Sequence, residues 1–159
     1  RDLPARLVGF ATLPPWADRR LVEVIPGLRS NPEAVERAEA VLRALGKETV
    51  VVKDGAAGVF PRIFAMIVNE AAFALEDGVA TAQDIDTALR LGANYPQGPL
   101  ALADEIGLEV LLAVIEGGHG ETKDDAHRSA PLLRMMIAAG WTGRAAGRGF
   151  FTYETGQNA

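Results

Sequence analysis

The sequence predicts a mainly α protein that begins with a short β segment. Short β-branched runs, closed by proline or glycine, crowd the stretch before Lys53. From Pro61 onward apolar residues recur at helical spacing, and Pro61, Thr81, Gly78 and Gly92 mark where helices start and stop. The stretch from Lys53 to Asp104 reads as a Pro-initiated helix, a Gly turn, a capped helix and a Gly/Pro turn into a third, with the other segments expected to pack on it.

In chain order, Ala5 to Leu13 is apolar with Gly9 inside and stops at Pro14-Pro15, which cannot continue a ladder, so one short strand is expected. Residues 21–25, LVEVI, form a second, with Glu23 at its centre and Pro26-Gly27 as its stop. Ser30 is the expected N-cap of a helix carrying Glu33 at capping-box spacing, and Gly46 ends that helix. Thr49 to Val52 is a third extended piece, giving β-β-α-β. Pro61 to Asp77 is apolar almost all round, which calls for burial within the subunit or by a partner. Thr81, with Asp84 three residues on, caps the next helix; Asn94 to Pro99 is a turn; Leu100 to Ile106 and Leu108 to Glu116 are helices broken at Gly107. Gly117 to Ala130 reads as a polar loop, Pro131 to Ala139 as a last helix, and Gly147 to Tyr153 as a Gly-hinged aromatic tail. The expected division is residues 1–53 and 54–159.

At 159 residues and 48% hydrophobic, the chain can bury a real core. A net charge of -5 repels polyanions, so neither nucleic acid nor an anionic membrane is an expected partner. The lack of cysteine removes thiolate chemistry and disulfides, and no apolar run approaches a membrane span, so a cytoplasmic location is expected. The start at Arg1 fits a piece excised from something longer.

Few residues promise chemistry. His119 and His127 sit in the polar loop with Glu121, Asp124 and Asp125, a setting that seldom supports a metal, and no metal site is expected. No phosphate-binding glycine motif or nucleophile elbow occurs. Arg144 and Arg148 are expected to be solvated or tied to a carboxylate, and Asp84, Asp86, Asp104 and Glu105 to serve helix faces and caps. Glu70 lies in the most apolar helix, where a buried carboxylate must find hydrogen bonds or stay protonated. Trp16 and Trp141 read as packing anchors.

KDGAAGVFPRI, NEAAFALEDGVATAQDIDTALRLGANYPQGPLALADEIGL and GRGFFTY resemble the C-terminal domain of the L-3-hydroxyacyl-CoA dehydrogenase family. The leading GFATLPPWADRRLVEVI resembles the end of that family's nucleotide-binding domain, where G-x-H-F-F-N-P precedes L-V-E-V-I. The resemblance implies a helical domain with a β remnant, with no cofactor site in this chain and NAD held only by an upstream domain. Laid on the motif without gaps, Glu23 takes the place of the carboxylate that orients the catalytic histidine, and Ala11 that of the histidine. Pro14 and Pro61 fall where the family keeps substrate-binding asparagines. The resemblance is closest to degenerate second copies in longer tandem members, including proteins of phenylacetate and fatty-acid degradation. It therefore implies a structural, dimerising domain, inactive alone, paired with a second copy or with itself. The alternatives are part of an active NAD-dependent dehydrogenase and a binding module for acyl-CoA or protein.

Overall fold

The computed structural model describes residues 5–55 and 57–154, apart from the side chain of Ala126; Arg1 and Ala56, noted above, lie outside them. The chain divides into two compact units, Arg1–Arg62 and Ile63–Ala159.

The first unit holds strand β1 (Val8–Ala11), strand β2 (Leu21–Pro26), helix α1 (Pro32–Ala44) and strand β3 (Glu48–Val51), with the sheet ordered β1-β2-β3. β1 and β2 pair antiparallel, with Ala11 opposite Glu23, while β2 and β3 pair parallel, with Glu23 opposite Val50. Parallel neighbours cannot be joined by a hairpin, so α1 is the crossover between them. This corrects the expected fold class. The N-terminal segment is an α/β unit in which α1 packs against a three-stranded sheet, not a β remnant appended to a mainly α domain. β1 is shorter than the run from Ala5 to Leu13 because Thr12 Oγ1 already turns to donate to the Leu21 carbonyl at 3.1 Å, ahead of the Pro14-Pro15 stop. Val22 and Val24 on one face of β2 and Glu23 on the other are all buried.

α1 is capped by Asn31, whose side chain accepts from Ala34 N–H at 2.8 Å; the expected cap, Ser30, instead donates to the Leu7 carbonyl and accepts from Gly27 N–H. The loop between β1 and β2 is held by Lys47, whose ammonium donates to the carbonyls of Trp16, Ala17 and Arg19 at 2.7, 3.1 and 2.8 Å.

The helices that follow are α2 (Phe60–Glu76), α3 (Ala82–Gly92), α4 (Pro99–Ile106), α5 (Leu108–Thr122) and α6 (Pro131–Ala138). Phe64, Ala65, Val68, Ala72, Leu100, Ala103, Leu108, Leu111, Ile115, Leu133 and Met136 are buried. The apolar girth of α2 is not buried all round, since Ile63 is 56% exposed. α5 runs six residues further than the expected end at Glu116, to Thr122, so His119 is helical and the polar loop begins only at Lys123. Asn69 is fully buried and ties α2 to the segment before α6, accepting from Ala130 N–H at 2.8 Å and donating to the Arg128 carbonyl at 3.0 Å.

Two buried carboxylates organise the rest of this unit. Asp86 on α3 accepts from the N–H groups of Leu100 and Ala101 at 2.8 and 3.0 Å, so it caps α4 from outside. Asp104 on α4 accepts from Phe150 N–H, Phe151 N–H and Tyr153 O–H, each at 2.9 Å, and so holds the tail. Burial pushes the Asp104 carboxyl above its ordinary value of 3.8, outweighing these donors, which pull it down. The Tyr153 phenol is raised as well, first by burial and then by the charge of Asp104.

Asp104→Asn exchanges one acceptor oxygen for an amide donor facing N–H groups, and should cost about 1–3 kcal/mol in urea denaturation. The folded carboxyl holds its proton to higher pH than the unfolded one, so Asp104's contribution to stability is greatest at the acid end and falls as pH rises from 3.8 through the raised folded value. The stability gap between wild type and D104N should therefore narrow with rising pH over that window; a gap that widens would contradict this account.

Candidate active site

Glu23 sits in the middle of β2, the central strand, and is 3% exposed. Its partners are neither solvent nor the nearby Arg19 and Arg20. Glu23 Oε2 accepts from Val59 N–H and Oε1 from Phe60 N–H, both at 2.6 Å. These amides lie at the start of α2, whose first N–H groups have no partner within the helix, so the carboxylate satisfies and charge-complements the helix N-terminus. Arg20 pairs instead with Glu48, and Arg19 donates to the Pro14 carbonyl at 2.9 Å. Gly58 makes the approach possible: its φ is +74°, and a Cβ there would overlap Glu23 Oε2 and come within 3.1 Å of the Ala11 side chain.

Ala11 and Glu23 are cross-strand partners, so the structure brings these two sequence-derived positions together on one face of the sheet. Pro14 is exposed in the loop after β1, and the Pro14-Pro15 peptide bond is cis. Pro61 is buried as the second residue of α2, next to the amides that Glu23 accepts. A methyl group at 11 takes no proton, and a proline at 14 or 61 offers no side-chain amide. What this cluster supplies is a fixed carboxylate whose two oxygens each accept one amide and retain lone-pair capacity toward the Ala11 side of the sheet.

The remaining candidates separate cleanly. Glu70 is exposed, not buried, and it is Asn69 that turns inward. Among the described residues no group of three or more His, Asp or Glu side chains is arranged to hold a metal. His127 lies against Gly118 and 3.4 Å from Thr122 Oγ1. Arg144 pairs with Glu105 at 3.4 Å and lies 4.6 Å from the centre of the Tyr153 ring, whereas Arg148 stacks on Trp141 at 3.5 Å. The N-terminus of α1 carries its own Asn31 cap, with the acidic Glu33 in the first turn. Asp86 does serve as a cap, as its spacing suggests, but sequence reasoning missed which distant segments Asp86 and Asp104 hold; the available signal was the glycine beside each partner segment, Gly98 and Gly149, where a Cβ would overlap the carboxylate. No helix among the described residues is long and apolar enough to cross a membrane.

Residues 59–153 match the family model of the 3-hydroxyacyl-CoA dehydrogenase C-terminal domain, and residues 2–55 match that of the 3-hydroxyacyl-CoA dehydrogenase NAD binding domain. The second match overturns the expectation that the chain carries no cofactor domain and that NAD belongs only to an upstream one. It also supports the corrected fold, an α/β unit followed by a helical unit. A probable 3-hydroxybutyryl-CoA dehydrogenase of Bacillus subtilis is 40% identical over 151 residues, 95% of this chain and 53% of that protein. The 3-hydroxybutyryl-CoA dehydrogenase of Bradyrhizobium diazoefficiens is 38% identical over 96% of this chain and 52% of its own length. Among solved structures, (S)-3-hydroxybutyryl-CoA dehydrogenase from Ralstonia eutropha superposes with a TM-score of 0.86 at 40% identity, over 95% of this chain and 53% of that one. The chain thus spans about half the length of these relatives. With both domain models matched in order along it, the chain belongs to the 3-hydroxyacyl-CoA dehydrogenase family.

Proposed function

We propose that this chain is part of an NAD-dependent L-3-hydroxyacyl-CoA dehydrogenase that oxidises short 3-hydroxyacyl thioesters, of the type used in fatty-acid or phenylacetate degradation. The observation that carries this reading is the two family matches in order along the chain, residues 2–55 and 59–153, with Glu23 buried on the central strand within the first. NAD, when bound, accepts the hydride. The chain's own contribution at this site is a desolvated carboxylate whose orientation is fixed by two amides, suited to orienting a proton acceptor beside it. A cytoplasmic location accompanies this reading.

A second reading follows from Ala11. The side chain directly across the strand pair from Glu23 is a methyl, so no proton acceptor stands at that position for the carboxylate to orient. On this reading the copy is a scaffold that supports the acyl-CoA cleft and pairs with a second copy, either a homodimer or a tandem partner. Its support is the alanine at position 11, opposite Glu23, together with the apolar side chains of Phe60 and Ile63, 43% and 56% exposed.

NADH formation from NAD and 3-hydroxybutyryl-CoA separates the two. The first reading expects turnover from the protein as it stands, with Ala11→His changing it little. The second expects none from this copy, and a gain of about 10²–10⁴-fold in Ala11→His, the usual contribution of a general base. Gly58→Ala tests the geometry under both readings. It combines a positive φ with overlap on Glu23, and should cost about 1–3 kcal/mol in thermal or urea unfolding, more than alanine at Gly117, where nothing lies within 4 Å of the added carbon.

A further inference from the structure

Within the helical unit, a recess of about 430 Å³ opens beside α3, lined among others by Gln83, Thr87 and Arg90 from that helix, Pro96 from the turn before α4, and Arg144 and Phe151 from the tail. Gln83, Thr87 and Arg90 follow one another at helical spacing, so the helix offers the recess a single polar stripe. The proline ring and the phenyl ring give it an apolar wall.

The charges facing this space are unequal in their commitments. Asp86 borders it, but its oxygens are turned to the amides of Leu100 and Ala101. Arg144, which lines it, is held by Glu105 at 3.4 Å, and that same carboxylate accepts from Gln97 at 2.9 Å. Arg90 has no hydrogen-bond or ion-pair partner among the described residues. One uncommitted guanidinium therefore faces a pocket whose other charges are paired or satisfied, on a chain whose net charge is -5.

We propose that this recess binds a small organic carboxylate, with the Arg90 guanidinium taking the carboxylate in its planar fork and the apolar body lying on Pro96 and Phe151. A monoanion matches the single uncommitted positive charge. A phosphate dianion would set its second charge near Asp86 without a second uncommitted cation among the described lining residues to meet it. The recess is lined by residues of the second unit only, and its existence does not depend on the catalytic reading.

Titration of the isotope-labelled chain with butyrate, followed by amide chemical shifts, is the test. Saturable shifts at residues 83–101 and 151–153 are expected, with a Kd on the order of 1 mM, and affinity should rise from acetate to butyrate by up to about fourfold per methylene. Arg90→Gln should weaken binding at least about tenfold while leaving the dispersed spectrum intact, and Arg90→Lys should restore only part of the loss. Absence of saturable shifts, equal affinity for inorganic phosphate, or unchanged binding in Arg90→Gln would each overturn the proposal. All three are binding readouts, so they are independent of whether the chain turns over a thioester.

Discussion

A carboxylate removed from water must be given hydrogen-bond donors, and this protein meets that constraint in the same way at each of three buried acids. Glu23 accepts the amides of Val59 and Phe60, Asp86 those of Leu100 and Ala101, and Asp104 those of Phe150 and Phe151. Two of these pairs open a helix and the third fixes the tail. The donors are backbone groups that would otherwise be unsatisfied, so each contact relieves two desolvation costs at once. Among the described residues, no buried side-chain polar atom is left without a partner.

This arrangement bears directly on the chemistry. A carboxylate that serves as an orienting group needs its neighbour to be a base, and the cross-strand neighbour of Glu23 is Ala11. The interaction that remains is the one with the start of α2. It would persist whether or not a proton acceptor stood at position 11, because it depends on Gly58 and on two amides. Retention of a buried acid at Glu23 is therefore accounted for by the fold alone, and catalysis has to be shown by turnover.

What the sequence made legible was local. Thr81 and Asp84 lie three apart and bond each other, and the cap was readable from that spacing. The parallel pairing of β3 was not, since three short β-branched runs do not say which strand lies beside which. The cap of α1 was displaced by one residue because Ser30 and Asn31 are both good caps, and only the tertiary bond from Ser30 to the Leu7 carbonyl decides between them. α5 outran its expected end because Gly117, Gly118 and Gly120 lower helix propensity by about 1 kcal/mol each, a local penalty overridden where Gly118 lies against His127. At the candidate site, Glu23, Ala11, Pro14 and Pro61 were found through a family motif. The partners of Glu23 were not, since Val59 and Phe60 stand 36 and 37 residues away.

The glycines carry the information that the acids alone do not. Gly58, Gly98 and Gly149 each occupy a place where a Cβ would overlap the carboxylate that serves the following amides. At these three places the acid's approach needs a residue without a side chain where the oxygens arrive, so the glycine and the acid form one device despite their separation in sequence. At Gly98 and Gly149 the constraint is steric alone, whereas Gly58 adds a left-handed backbone, so the Glu23 contact tolerates substitution least. The cluster expected to carry chemistry is thus also the one whose geometry is most tightly determined by the fold.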